Sequence, residues 1–201
     1  MWWLTDMPRH SALRSLARLS IATSLLAILA GCGFQLRGAP PVSAALQPLA
    51  VDCSSPVPET LCLSVREQLK LGEINLVDVA QADYILRLGN FEEDRRATAI
   101  TAQAAAAEYT LRHSVVLEVV GADRIPIVAS TRLSSSESYR YDETNVLAKQ
   151  REEETLRQQL NDRLAQQVLF RLAPLTSERI DAIRAEYNRT QDADAPATGK
   201  P

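Results

Sequence analysis

An α+β fold is predicted, with two helices packed on a mostly antiparallel sheet of about four strands in a two-layer sandwich. Three observations predict it. Three segments between residues 83 and 141 alternate apolar and polar side chains with period two, the strand signature. Two further segments, one before and one after them, carry apolar residues at four-residue spacing, the helix signature. Gly121-Ala122-Asp123 joins the last two strands through a turn too short for a crossover, so those strands are antiparallel. The chain has 201 residues, 46% of them hydrophobic and 23% charged, enough for one core plus extra segments.

The first of those extra segments is an address. Residues 1–18 carry Arg9, Arg14 and Arg18 against Asp6, and Leu19 to Leu29 is uncharged and apolar. This is a basic region followed by a hydrophobic one, as in secretion signals. Eleven helical residues would span about 17 Å, well short of the ~30 Å hydrocarbon thickness of a bilayer, so a permanent membrane span is disfavoured. The run ends in Leu29-Ala30-Gly31-Cys32, which resembles the bacterial lipobox. In it small residues precede a cut, and the new terminal cysteine, whose thiolate is the needed nucleophile, receives a lipid. The alternative is an ordinary signal peptide cut near a chance cysteine. The expected division is a signal peptide over 1–31 and a lipidated tether over 32–44 beginning at Cys32. Gly33 and Phe34 follow, not an Asp of the kind that retains many such proteins at the inner membrane, so the resemblance implies the outer membrane.

Without residues 1–31 the chain has 19 Lys+Arg against 24 Asp+Glu, a net charge of −5. That balance excludes a general nucleic-acid binder and leaves acyl chains, each methylene worth about 0.8 kcal/mol in the bilayer, as the membrane anchor. Cys53 and Cys62 remain as an even pair, which in an oxidising periplasm invites a disulfide around Pro56 and Pro58. The alternative is two buried thiols, one on a strand and one on a helix.

The expected domain covers 45–175. Leu46 to Val51 is a short apolar run for a first strand. Leu61, Val65 and Leu69 fall four apart between Pro58 and Gly72, giving a helix over 58–71. Strands follow over Asp83 to Phe91, Glu108 to Val120 and Ile127 to Tyr141. The run Glu92-Glu93-Asp94-Arg95-Arg96 reads as a mixed-charge exposed loop. A long helix over Asp142 to Leu172 carries Leu156, Leu160, Leu164, Val168 and Leu172 in one stripe, and Pro174 stops it. Residues 176–201 read as a polar, largely disordered tail.

No catalytic constellation emerges, and no metal or cofactor is assigned. His10 lies in the signal segment, leaving His113 alone on the apolar face of its strand, where a core or edge histidine is favoured over a general base. Ser134-Ser135-Ser136 lies inside a strand, without the strained turn a nucleophile needs. Binding or assembly is therefore the expected class.

Four pieces then point to a family. Cys32-Gly33-Phe34-Gln35-Leu36-Arg37-Gly38, Glu108-Tyr109-Thr110-Leu111, Tyr139-Arg140-Tyr141, and Asn145-Val146-Leu147-Ala148-Lys149 before Glu152-Glu153-Glu154 together resemble the LptE family of LPS-assembly lipoproteins, in order, over about residues 20–173. The resemblance implies an outer-membrane lipoprotein on the periplasmic side that plugs and helps assemble the LptD β-barrel and binds lipopolysaccharide. It implies that Lys149, in the Leu-Ala-Lys motif, contacts the glycolipid. The alternative for this lysine is a solvated pair with Glu152 or Glu153. The family's second basic contact, an arginine in the loop before the Glu-Tyr strand, has no counterpart in Ala97 to Ala107, and the nearest candidates are Arg95 and Arg96. The competing class is an independent periplasmic ligand-binding lipoprotein with a pocket between sheet and helices. A tethered hydrolase is disfavoured.

Overall fold

The computed structural model describes residues 42–102 and 106–194. Cys32 and the signal and tether segments before residue 42 lie outside the described residues. Secondary structure runs β1 (Leu49–Cys53), α1 (Glu59–Leu71), β2 (Tyr84–Ile100), β3 (Ala106–Gly121), β4 (Pro126–Arg140), α2 (Val146–Leu172) and α3 (Ser177–Asp194). The strands form one sheet in sequence order. β1 pairs parallel to β2, with α1 as the crossover that a parallel pair requires. The remaining pairs are antiparallel.

The four-residue stripes do what their spacing implies. Leu61, Val65 and Leu69 of α1 and Leu164, Val168 and Leu172 of α2 are buried against Leu86, Leu88, Val115, Leu117 and Leu133 of the sheet. Burying each such side chain stabilises by roughly 1.5–3 kcal/mol. A second, smaller apolar cluster of Leu111, Tyr139 and Leu160, with Tyr109, Tyr141 and Leu156 packed on it, sits toward the far end of the sheet. The opposite sheet face is uncovered and polar, carrying Arg87 against Glu118 at 3.6 Å and Arg132 against Glu92 at 2.6 Å. Cys53 and Cys62 form a disulfide with Cα atoms 6.4 Å apart, tying the end of β1 to the first turn of α1.

Three expectations need correction. The sequence predicts two helices and a largely disordered tail over 176–201, yet Ser177–Asp194 is a third helix, and residues 195–201 lie outside the described residues. Its apolar stripe is narrow, which hides it in the sequence. Leu175, just before it, and Ile180 are buried, while Ile183 and Tyr187 pack against the same core. Thr176 Oγ1 accepts from Arg179 N–H at 3.3 Å, a side-chain cap for the new helix. Arg184 then bonds Asp123 at 2.8 Å in the β3–β4 turn, over the ring of Tyr84. This packing is close: a Cβ on Gly121 would meet Asp123 Oδ1 at 2.3 Å.

The second correction concerns β2, which continues past Phe91 to Ile100 because β3 supplies ladder partners that far. A register shift between Gly89 and Glu92, with Asn90 at φ 47°, resets the alternation. The charged run 92–96 is therefore strand, not loop. Glu93 and Arg95 pair with His113 and Leu111 on the helix-covered face, and Glu92, Asp94 and Arg96 fall on the open one. The third concerns α2, which starts at Val146 instead of Asp142, after a 3-10 turn over Glu143–Asn145.

Candidate functional site

Asp142 shapes the entry to α2. Its Oδ1 accepts from the backbone N–H of Thr144 at 2.9 Å and from Thr144 Oγ1 at 2.7 Å, closing the turn. These hydrogen bonds, side chain first, then backbone, with the nearby charge of Lys149 adding to them, hold the Asp142 carboxyl below its ordinary value. The helix then begins so that Val146, Lys149, Gln150, Glu153 and Arg157 point one way. Together with Arg95 of β2 and Tyr141 they line a cleft of about 340 Å³.

A chain of ion pairs builds the floor of this cleft. Tyr139 on β4 donates to Glu153 Oε2 at 2.5 Å and accepts from Arg95 Nε at 2.8 Å. The Arg95 guanidinium carbon lies 3.6 Å from the ring centroid of Tyr109 and 5.9 Å from that of Tyr141, a cation held among aromatic faces. Arg157 bonds Glu93 Oε1 at 2.8 Å and also Glu153. Lys149 Nζ sits 2.7 Å from Glu152 Oε2.

The electrostatics favour fixed charge over proton exchange. Burial pushes the Tyr139 phenol up, and its hydrogen bond to Glu153 adds to this, against the opposing bond from Arg95. Burial opposes charge on Arg95, but the hydrogen bond to Tyr139 and the fields of Tyr139, Glu153 and Tyr109 outweigh it and raise its value. The hydrogen bond to Glu93 raises Arg157, with Glu153 and Glu154 adding to it against burial. Near neutral pH the phenol stays neutral and both guanidinium groups stay charged, so these three groups can hold an anion but not shuttle a proton.

Of the residues singled out in the sequence, those within the described span have a place, and Cys32 lies outside it. Lys149 lies in the cleft, one turn into α2, and takes the pair with Glu152 that was its alternative reading. His113 is buried and bonds Asn161. Ser134 Oγ accepts from Arg112 at 3.2 Å and is not paired with a base. Sequence reasoning missed the convergence of Arg95, Tyr139 and Glu153. Their only signal was the period-two alternation, which places Arg95 on the face of Tyr109 and Tyr139 once β2 is extended.

A helix-covered mixed sheet with an open polar face and a cleft lined by paired charges defines a small two-layer α+β domain. Comparison with known proteins agrees in kind. The model of the LptE family, described as lipopolysaccharide-assembly, matches residues 46–172. The chain belongs to the LptE family, which is a family of lipoproteins and not of enzymes. It is 33% identical over 177 residues to the LPS-assembly lipoprotein LptE of Pectobacterium atrosepticum, covering 86% of this chain and 91% of that one. Among solved structures it is similar to rare lipoprotein B of Shewanella oneidensis, 25% identical with a TM-score of 0.51, covering 72% and 98% of the two chains. The fold is also that of a lipoprotein B from Nitrosomonas europaea, 19% identical with a TM-score of 0.55, covering 70% and 90%. Among the described residues no helix is long and apolar enough to cross a membrane.

Proposed function

We propose that this chain is an outer-membrane lipoprotein, anchored by lipid on Cys32, that plugs and helps assemble an LptD-like β-barrel and binds lipopolysaccharide during its delivery to the outer leaflet. The observation that carries the binding part is the shared cleft. Lys149, which the family motif singles out, lies with Arg95 and Arg157 in one opening, although no arginine precedes the Glu-Tyr strand where the family has one. Arg95 supplies the second cation from β2 instead. Cations converging on one opening suit the clustered phosphates of a glycolipid, and a guanidinium adds the planar fork that an ammonium lacks. The plug role is supported by the uncovered sheet face, whose Arg87, Glu92, Glu118 and Arg132 side chains are charged and suited to a water-filled lumen.

An independent ligand carrier would need space between sheet and helices. That layer is filled by fully buried Leu86, Leu88, Leu117, Leu164 and Leu172, which favours the plug. The test is affinity purification of the full lipoprotein from native membranes. A stoichiometric β-barrel partner is expected, and a monodisperse lipoprotein recovered without one would refute the plug. For the cleft, full-length Lys149→Asp is compared with wild type for lipopolysaccharide binding across a salt series. Weaker binding at unchanged melting temperature is expected, and equal affinity at low salt would remove the contact.

A further inference from the structure

The cations of the cleft are already paired, and the pairs differ. Arg95 and Arg157 converge on Glu153, whose side chain is only 14% exposed and is also bound by Tyr139. Arg157 has Glu93 and Glu154 as well. Glu153 is thus locked by three partners. Glu152 is different: the partner the structure gives it is Lys149, three residues back on the same helix, and its side chain is 44% exposed while that of Lys149 is 22% exposed. Of the carboxylates that hold cations in the cleft, Glu152 frees Lys149 far more readily than the buried Glu153 could free Arg95, because Glu152 swings into water it already touches.

We propose that Glu152 is an internal competitor that sets a charge threshold on the cleft, so that Lys149 is released to a phosphomonoester of a lipid headgroup and withheld from a phosphodiester. This rests on the reading of the cleft as a glycolipid phosphate site. A phosphodiester carries one negative charge, so exchanging it for the Glu152 carboxylate changes no formal charge and gives up a partner tethered one helical turn away. A phosphomonoester carries about −1.5 to −2 at pH 7 and offers three acceptor oxygens to the three donors of the ammonium. That surplus charge pays for displacing Glu152. The first turn of α2 adds partial positive charge from its free N–H groups, which favours the more highly charged anion further.

The discriminating experiment uses the full chain in neutral detergent with two soluble short-chain probes, dihexanoyl phosphatidic acid (a phosphomonoester) and dihexanoyl phosphatidylglycerol (a phosphodiester), each titrated at constant ionic strength. Wild type is expected to prefer the monoester. Glu152→Gln is expected to bind the diester up to about fivefold tighter, the range of an exposed ion pair, and so to narrow the preference. Glu154→Gln removes the same charge from a carboxylate that pairs with Arg157 and is expected to leave the ratio unchanged. An unchanged ratio in Glu152→Gln, or an equal shift in Glu154→Gln, overturns the proposal. Displacement of both lipids by inorganic phosphate at equal concentration overturns the headgroup assignment. Lys149→Gln separates the two levels: if it leaves monoester binding untouched, the reading of the cleft fails, whereas a Lys149-dependent site with no response to Glu152→Gln fails this inference alone.

Discussion

His113 on β3 donates its Nδ1–H to Asn161 Oδ1 on α2 at 2.9 Å, and the two residues lie between the main apolar core and the smaller one around Leu111, Tyr139 and Leu160. Asn161 Nδ2 in turn donates to Thr60 Oγ1 on α1 at 3.1 Å, so one side chain ties both helices to the sheet. The Phe91 ring meets the imidazole edge-on at 5.2 Å. His113 Nε2 lies 3.3 Å from Glu93 Oε2 but outside hydrogen-bonding geometry, and it is buried without a hydrogen-bond partner. Apolar layers alone would let a helix slide along the sheet. A directional bond in the middle fixes α2 in one register, and thereby fixes where Lys149 and Glu153 meet β2 and β4.

Asn161→Ala is expected to destabilise the fold by about 1–3 kcal/mol, because it strands the Nδ1–H of a buried ring. Replacing both partners, as in His113→Leu with Asn161→Leu, is expected to cost less than the sum of the single changes, since no polar group is then left unpaired. Urea denaturation of the four proteins closes the cycle. Strict additivity would show that the bond does not couple α2 to the sheet.

Tyr139 predicts an alkaline limit. Its value is raised by folding, so its contribution is fully present below the ordinary tyrosine value of about 10 and is lost as pH rises through the folded value. Tyr139→Phe removes the phenol from between Arg95 and Glu153 and is expected to cost about 2 kcal/mol at pH 7, because both hydrogen bonds involve charged partners. The variant and wild type should converge in stability as pH rises past 10. A stability difference that stays constant from pH 7 to 11 would contradict this.

The sheet, α1 and α2 were legible because each buries one face against a single neighbour, so the apolar period survives in the sequence. Leu111, Val115 and Leu117 alternate because one side of β3 meets helices and the other meets water. The outer half of β2 was not legible, because from Glu92 onward both faces carry charge and only pairing with β3 makes it a strand. α3 was illegible for a related reason: it rests on the edge of the core through Ile180, Ile183 and Tyr187, too few apolar positions to stand out among its charges. Lys149 is singled out by its motif, whereas Arg95 can be named only beside Arg96 as a nearest candidate, with nothing in the sequence to choose between them. The place of Arg95 in the cleft depends on a register shift near Asn90 and on three tyrosines from β3, β4 and the residue after it.

The Cys53–Cys62 link closes a small loop, with a sequence separation of 9. Restricting the unfolded chain over a loop of that size is worth about 2–3 kcal/mol. Cys53→Ser with Cys62→Ser is expected to lower stability by that amount in periplasmic material, measured against wild type under non-reducing conditions. Equal stability, or free thiols at both positions in wild type, would refute it.

Ile180 tests whether α3 is part of the fold. It is 1% exposed, and Ile180→Ala is expected to cost about 2–4 kcal/mol through lost burial and the cavity left behind. An exposed position on a loosely attached helix would lose a few tenths instead. Thermal or urea melts separate the two outcomes by an order of magnitude.

Arg95 carries the last prediction, because its geometry separates shape from charge. Its guanidinium carbon lies 3.6 Å from the Tyr109 ring centroid, and Nε is committed to Tyr139, so the group is held in place before any ligand arrives. Its side chain is 36% exposed, so its remaining N–H groups stay accessible from the cleft. A lysine here would keep the charge but lose both the flat stacking surface and the fork. Arg95→Lys is therefore expected to weaken lipopolysaccharide binding by the full protein nearly as much as Arg95→Gln does, about tenfold for a lost charge-assisted pair. Stability should fall by about 1–3 kcal/mol in either case, the scale of a partly exposed cation–π contact together with the lost hydrogen bond to Tyr139. Binding is read by titration at fixed salt and stability by melting of the same samples. Full retention of affinity in Arg95→Lys would mean that only net charge matters in the cleft, and the aromatic cradle would then be packing and nothing more.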